Sequence, residues 1–210
     1  MADDDPIVER VAKALYNEAV KQALQDASDF DFDMSDSIRV FRKLTNETDT
    51  GIAIISAAYI DECLIKLFAL HIDNSSRTVF RSITNFNGPL GTFSSRIDMA
   101  FGFSLISKNS HQRLNCIRKI RNKFAHSPFG FSFGTETIKN LVEELDVNHK
   151  RFIDEIRKSK EIWAVTKAPS RMTMKEVYLV KTALTLAFVA SEMIALPTAK
   201  IKAPRRFKWN

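Results

Sequence analysis

Two cysteines in 210 residues, Cys63 and Cys116, are too few and too far apart for a disulfide framework or a thiolate metal cage. Both fall inside apolar helical patterns and read as small core residues of a reducing compartment. Glycine and proline are equally scarce, six of each against sixteen Phe, which excludes a low-complexity or disordered chain and favours a packed globule. The opening Met1-Ala2-Asp3-Asp4-Asp5-Pro6 has no apolar core, so no secretory leader is expected and the cytoplasm is the expected location. The glycosylation-type triplets at Asn46 and Asn74 then carry no meaning. Long uninterrupted apolar runs are missing as well. Asp61, Glu62 and Lys66 break the run from Ile52 to Leu70, and Lys181 and Glu192 break the run from Val177 to Leu196. Such interruptions are wrong for a membrane span and suit buried helices.

What is present is material for one domain with a substantial core: 45% of the residues are hydrophobic, and a chain of this length buries roughly 70% of its unfolded surface. We expect a single helical domain over residues 1–196, followed by a basic tail at 197–210. Val8, Val11, Leu15, Ala19 and Ala23 share one face of a helix expected at 7–27. The acids of Asp29 to Asp36 resemble the start of a calcium loop. Met34 stands where its glycine is needed and Val40 where its bidentate glutamate is needed, which excludes calcium.

From residue 50 to 71, Ile52, Ile55, Tyr59, Ile60, Cys63, Leu64, Leu67 and Phe68 recur at helical spacing, with Ile54 and Ile65 on a second face. Such a helix is expected at the centre of a bundle. Its Glu62 has Lys66 one turn on, whereas Asp61 needs a distant cation, expected to be Arg118 or Arg121. A short helix capped by Asn74-Ser75-Ser76 runs to about 84, and 85–91 forms a tight turn. A helix over 94–105, a break at 107–110 and a helix with Leu114, Ile117, Ile120 and Phe124 inward follow, the last ended by Ser127-Pro128-Phe129-Gly130. A charged helix is expected from 135 to 158 and a short extended piece at 162–165. Thr173-Met174-Lys175-Glu176 reads as a capping box opening a final helix to 196. The fold class expected is all-α, a multi-helix bundle.

The chemistry concentrates at Arg121-Asn122-Lys123-Phe124-Ala125-His126. Arginine is a permanent planar cation that holds phosphate bidentately, and histidine exchanges protons near neutral pH. Arg118, Lys119 and Lys123 crowd the same helix, and Arg205, Arg206 and Lys208 charge the tail. With net charge +6 and pI near 9.3, these six are the candidate nucleic-acid contacts. A structural reading of the same helix has His126 capping backbone carbonyls and Arg121 neutralising Asp61 or Glu62. His71, His111 and His149 lack ligand spacing, so no metal is expected. Gly88 to Gly91 has neither a P-loop lysine nor dinucleotide spacing, and no cofactor is expected. No recognition helix for sequence-specific DNA binding is evident.

Gly88-Pro89-Leu90-Gly91, followed by Ser94-Ser95-Arg96-Ile97 and Phe101-Gly102-Phe103-Ser104-Leu105-Ile106, resembles the central motif of the mannitol operon repressor family. Tyr59-Ile60-Asp61-Glu62-Cys63-Leu64 precedes it in the family's order, and the resemblance covers about residues 50–130. Arg121, Asn122 and His126 also resemble, position by position, the signature of the HEPN superfamily. These are helical domains, many of them metal-independent endoribonucleases in toxin, antiviral and RNA-processing systems. That likeness implies a two-fold homodimer with two motifs in one cleft, binding RNA.

Cleavage of RNA at its own 2′-hydroxyl needs a base, an acid and positive charge for the phosphorane between them. Two copies of His126 and Arg121 across a two-fold axis would supply these, with Asn122 orienting the histidine or the phosphate. DNA lacks the 2′-hydroxyl and should survive. The leading expectation is therefore a regulator with RNA-binding and metal-independent endoribonuclease activity. The alternatives are a non-catalytic transcriptional regulator acting through a protein partner or nonspecific nucleic-acid contact, and a toxin or phage-defence module.

Overall fold

The computed structural model describes residues 40, 44, 46–71, 77–127, 130–147 and 172–195. The helix expected at 7–27, the acidic stretch 29–36, the extended piece at 162–165 and the basic tail lie outside these residues. The described residues form six α-helices and no strand: α1 (Asp49–His71), α2 (Arg77–Thr84), α3 (Phe93–Gly102), α4 (Lys108–Ala125), α5 (Glu136–Glu144) and α6 (Met174–Ala195). They are the expected all-helical bundle.

The core draws on five of the six helices. Ile52, Ile60, Leu64 and Phe68 of α1, Ile97 of α3, Leu114, Ile117 and Ile120 of α4, Ile138 and Val142 of α5, and Leu179 and Val189 of α6 are all buried. Each contributes about 1.5–3 kcal/mol relative to exposure. The hub is α4, which packs on α1, α3, α5 and α6. The helix expected at the centre of the bundle, α1, packs on α3, α4 and α6, with Ile54 and Ile55 on its outer side 37% and 41% exposed. The stretch buried on every side is the middle of α6, where each residue from Tyr178 to Leu186 is buried.

Local chemistry sets the helix ends. Thr92 and Ser95 form a reciprocal capping box at the start of α3. The expected box at Thr173 is present: Glu176 Oε2 accepts from the Thr173 backbone N–H at 2.7 Å, and the Thr173 hydroxyl accepts from Glu176 N–H at 3.3 Å. The turn from 85 to 91 is held by Gly88 N–H to Asn85 O (2.7 Å) and Leu90 N–H to Ile83 O (3.0 Å). A side chain at Gly88 would strike the carbonyls of Ser82 and Ile83, and one at Gly91 the carbonyls of Asn85 and Phe86, so glycine is required at both. Two helices end earlier than their sequence patterns suggest. α3 stops at Gly102 because Ser104 takes a left-handed φ of 59°, while Leu105 N–H turns back to Ala100 O at 2.8 Å. α5 stops at Glu144 because Leu145 leaves the helix at ψ 89° and is fully buried, followed by buried Val147.

Charged side chains also fasten the helices to one another. Asp61 Oδ2 pairs with Arg96 Nη1 at 2.7 Å, which corrects the expected partners Arg118 and Arg121. Arg96 is only 7% exposed, and its Nη2 also donates to Thr84 O at 3.3 Å, so one guanidinium joins α1, the end of α2 and α3. Lys181, 5% exposed, donates to Val142 O at 2.7 Å and satisfies the last turn of α5; burial holds its pKa below the usual lysine range. Glu192 of α6 accepts from Ser107 N–H and from the Ser110 hydroxyl, both at 3.0 Å, and so fastens the start of α4. By contrast, Glu62 and Lys66 form the expected i, i+4 pair at 3.7 Å on the surface, where it contributes little.

Candidate functional site

The outer end of α4 is placed by what lies beneath it. Leu114, Ile117, Ile120 and Phe124 form the expected inward stripe and are all buried. Phe124 packs on Phe133 (ring centroids 5.1 Å apart), Phe133 packs on Tyr178 (4.8 Å), and the Tyr178 hydroxyl lies 2.9 Å from Ser56 Oγ. Phe131 meets Phe124 edge-on at 6.3 Å. This aromatic ladder runs from α4 through the 130–135 loop to α6 and α1. The loop is fixed in turn by Phe133 N–H donating to Asp49 Oδ2 at 2.9 Å. Desolvation pushes the Tyr178 phenol up to about 12.

On that base stand Arg121, Asn122 and His126. Arg121 is exposed, Asn122 is half-buried and His126 is exposed. Arg121 Nη1 donates to Asn122 Oδ1 at 3.0 Å, so Asn122 orients the arginine rather than the histidine. His126 is the residue that closes α4: its backbone N–H donates to Asn122 O at 3.1 Å, while its ring has no hydrogen-bond partner among the described residues. The structural alternative for Arg121, neutralising Asp61 or Glu62, is not what the side chain does, because Asp61 belongs to Arg96.

Of the other candidate contacts, Lys119 and Lys123 are exposed. Arg118 folds back on its own helix, donating from Nε (3.2 Å) and Nη2 (3.1 Å) to Asn115 Oδ1. Arg205, Arg206 and Lys208 lie outside the described residues. His111 sits near the opposite end of α4, 3.0 Å from Asp98 Oδ1 and stacked on Phe101 at 4.6 Å.

No group of three or more His, Cys, Asp or Glu among the described residues could hold a metal ion. Cys63 and Cys116 are free and buried, and desolvation raises their thiols to about 12 and about 11. No described helix is long and apolar enough to cross a membrane.

Sequence reasoning missed Arg96, Lys181 and Glu192 as the bundle's internal fasteners. The only signal for the first was its place in the Ser-x-Arg motif, and for the other two their position as lone charges in an apolar run.

The fold is similar to that of a solved structure, the X-ray structure of the MtlR–HPr complex from Escherichia coli. The TM-score is 0.51 at 14% identity, covering 72% of this chain and 96% of that one. The sequence itself matches the family model described as mannitol repressor over residues 39–194, and the chain belongs to that family. The match extends the likeness seen at about 50–130 to all six helices. No curated protein gives a match.

Proposed function

We propose that this chain is a regulator that works by binding another protein, and that the partner is an HPr-type protein. The observation that carries the reading is the coverage of the solved relative. Its structure was determined as a complex with HPr, and 96% of that chain has a counterpart in this one. The test is a calorimetric titration of the full chain with HPr. The expected result is a saturable 1:1 complex of micromolar or tighter affinity, about −8 kcal/mol. Absence of heat and of a co-eluting species at a hundred times that concentration sinks the reading.

A second reading is favoured by one observation, the exposed Arg121 and His126 on either side of half-buried Asn122 at the end of α4. In that reading two chains form a homodimer about a two-fold axis and present two histidines and two arginines to RNA. One His126 takes the 2′-hydroxyl proton, its mate protonates the departing 5′-oxygen, and the paired Arg121 side chains hold the phosphorane. Asn122 keeps each guanidinium in place. The measurement is incubation of wild type, Arg121→Ala and His126→Ala with labelled single-stranded RNA in EDTA. A 2′,3′-cyclic phosphate end, lost in both variants, supports this reading, and intact RNA in all three refutes it. Toxicity on expression that disappears in His126→Ala would place the same chemistry in a toxin or defence module.

A further inference from the structure

The chain carries 31 Lys and Arg against 25 Asp and Glu. Six of those cations, Lys108, Arg113, Arg118, Lys119, Arg121 and Lys123, lie in α4, which has no acidic residue. Outside α4 the remaining 25 cations balance the 25 acids, so the whole net charge of +6 resides on one 18-residue helix.

Helix stability does not account for this. The macrodipole favours Arg121 and Lys123 near the C-terminus, but it opposes Lys108 in the first turn and does nothing for Arg118 and Lys119 in the middle. Lys119 and Lys123, four apart, repel each other by a few tenths of a kcal/mol. Nor are the charges neutralised. Among the described residues, none of the six is in an ion pair, whereas Arg96, Lys66 and Lys139 are. Two carboxylates that touch the helix are engaged elsewhere, Asp98 with His111 and Glu192 with Ser107 and Ser110. Only Arg113 is turned inward, bonded to Asp146 O at 2.7 Å and lying over the Phe188 ring at 4.7 Å.

The outward face is ordered. Lys108, Asn115, Lys119, Asn122 and His126 recur three, four or seven residues apart and form one stripe about 27 Å long. Its two asparagines each accept from an arginine, Asn115 from Arg118 and Asn122 from Arg121. The guanidinium groups are thereby laid along the stripe with donors to spare, which lowers the entropy lost when they bind.

We propose that the outer face of α4, from Lys108 to His126, is a track for the phosphate backbone of nucleic acid, bound without reading bases and with equal affinity for RNA and DNA. Bidentate arginine heads suit phosphate oxygens, and no exposed aromatic residue of α4 offers a base a stacking surface. The track stands apart from both functional readings above, since it requires neither HPr nor cleavage.

The test is fluorescence anisotropy of the full chain with 20-nucleotide RNA and DNA of one sequence, from 50 to 300 mM KCl. About four neutralised phosphates give a slope of log K against log salt near −3. Lys119→Glu/Lys123→Glu should weaken both nucleic acids at least about tenfold and bring the slope to about −1.5. Arg77→Glu/Arg81→Glu, which changes net charge equally on exposed α2 positions, should bind as wild type does. Far-ultraviolet circular dichroism confirms that both variants fold. Three results overturn the proposal: no binding at 50 mM KCl, equal loss in both charge reversals, or equally effective competition by polyglutamate, which would point to an acidic protein.

Discussion

Arg96 and Arg121 are the same side chain in opposite circumstances. Arg96 is buried, holds Asp61 at 2.7 Å and reaches the end of α2, so three helices depend on one guanidinium. Arg121 is exposed and bonded only to the next residue of its own helix, so nothing in the fold depends on it. A buried charge must be paired or the fold is lost, and it has no freedom to meet a ligand. An exposed charge held by its own helix is dispensable to the fold and free to act. Both arginines lie in motifs readable from the sequence, and their environments divide them into a fastener and a functional candidate.

The largest effect that would sharpen the contrast is expected at the fastener. Arg96→Ala should lower stability by about 3–5 kcal/mol in urea denaturation, because Asp61 is left buried without its cation. The double variant Asp61→Leu/Arg96→Met should recover much of that loss, since removing both charges avoids the unpaired one. Next comes Glu192→Ala, which frees the Ser107 N–H and the Ser110 hydroxyl at the start of α4 and should cost about 1–2 kcal/mol by the same measurement. At the exposed end, Arg121→Ala and His126→Ala should each stay within about 0.5 kcal/mol of wild type. A loss at Arg121 as large as that at Arg96 would break the contrast outright.

The smallest effects at neutral pH belong to the buried titrating groups. Cys63 and Cys116, held at about 12 and about 11 by burial, should remain unalkylated by iodoacetamide at pH 7 until the protein unfolds. Tyr178 is raised to about 12 in the folded chain, against 10.0 as its ordinary value. Below pH 10 the phenol is neutral in both states and its contribution is intact. Between pH 10 and 12 the unfolded state ionises first, and stability falls through that window. Ultraviolet titration of tyrosinate alongside the unfolding midpoint checks the sign.

Much of the fold was legible because it rests on short-range rules. The inward stripe of α4 follows from apolar residues three and four apart, the turn at 85–91 from glycines where any side chain would meet backbone carbonyls, and the start of α6 from the Thr173/Glu176 box. The premature ends of α3 and α5 were not legible. Helical pattern continues through Leu105 and beyond Leu145, and only packing pulls Leu105, Leu145 and Val147 inward. The expected partner of Asp61 was misplaced for a related reason. Arg118 and Arg121 lie on a helix that packs against α1, yet Arg121 faces outward and Arg118 bonds Asn115, whereas Arg96 enters from α3.

By itself the sequence determined which segments coil, which residues sit on one face, and that Asn122 and His126, four apart, would be neighbours beside Arg121, because residues three or four apart on a helix keep their neighbours in any fold. It also placed all of the net charge on α4. Only the tertiary structure decided that Arg96 rather than Arg121 serves Asp61, that Lys181 closes α5 and Glu192 opens α4, and that the middle of α6 is enclosed. Those outcomes depend on which helices meet and at what rotation, a property of the packed ensemble that no local spacing encodes.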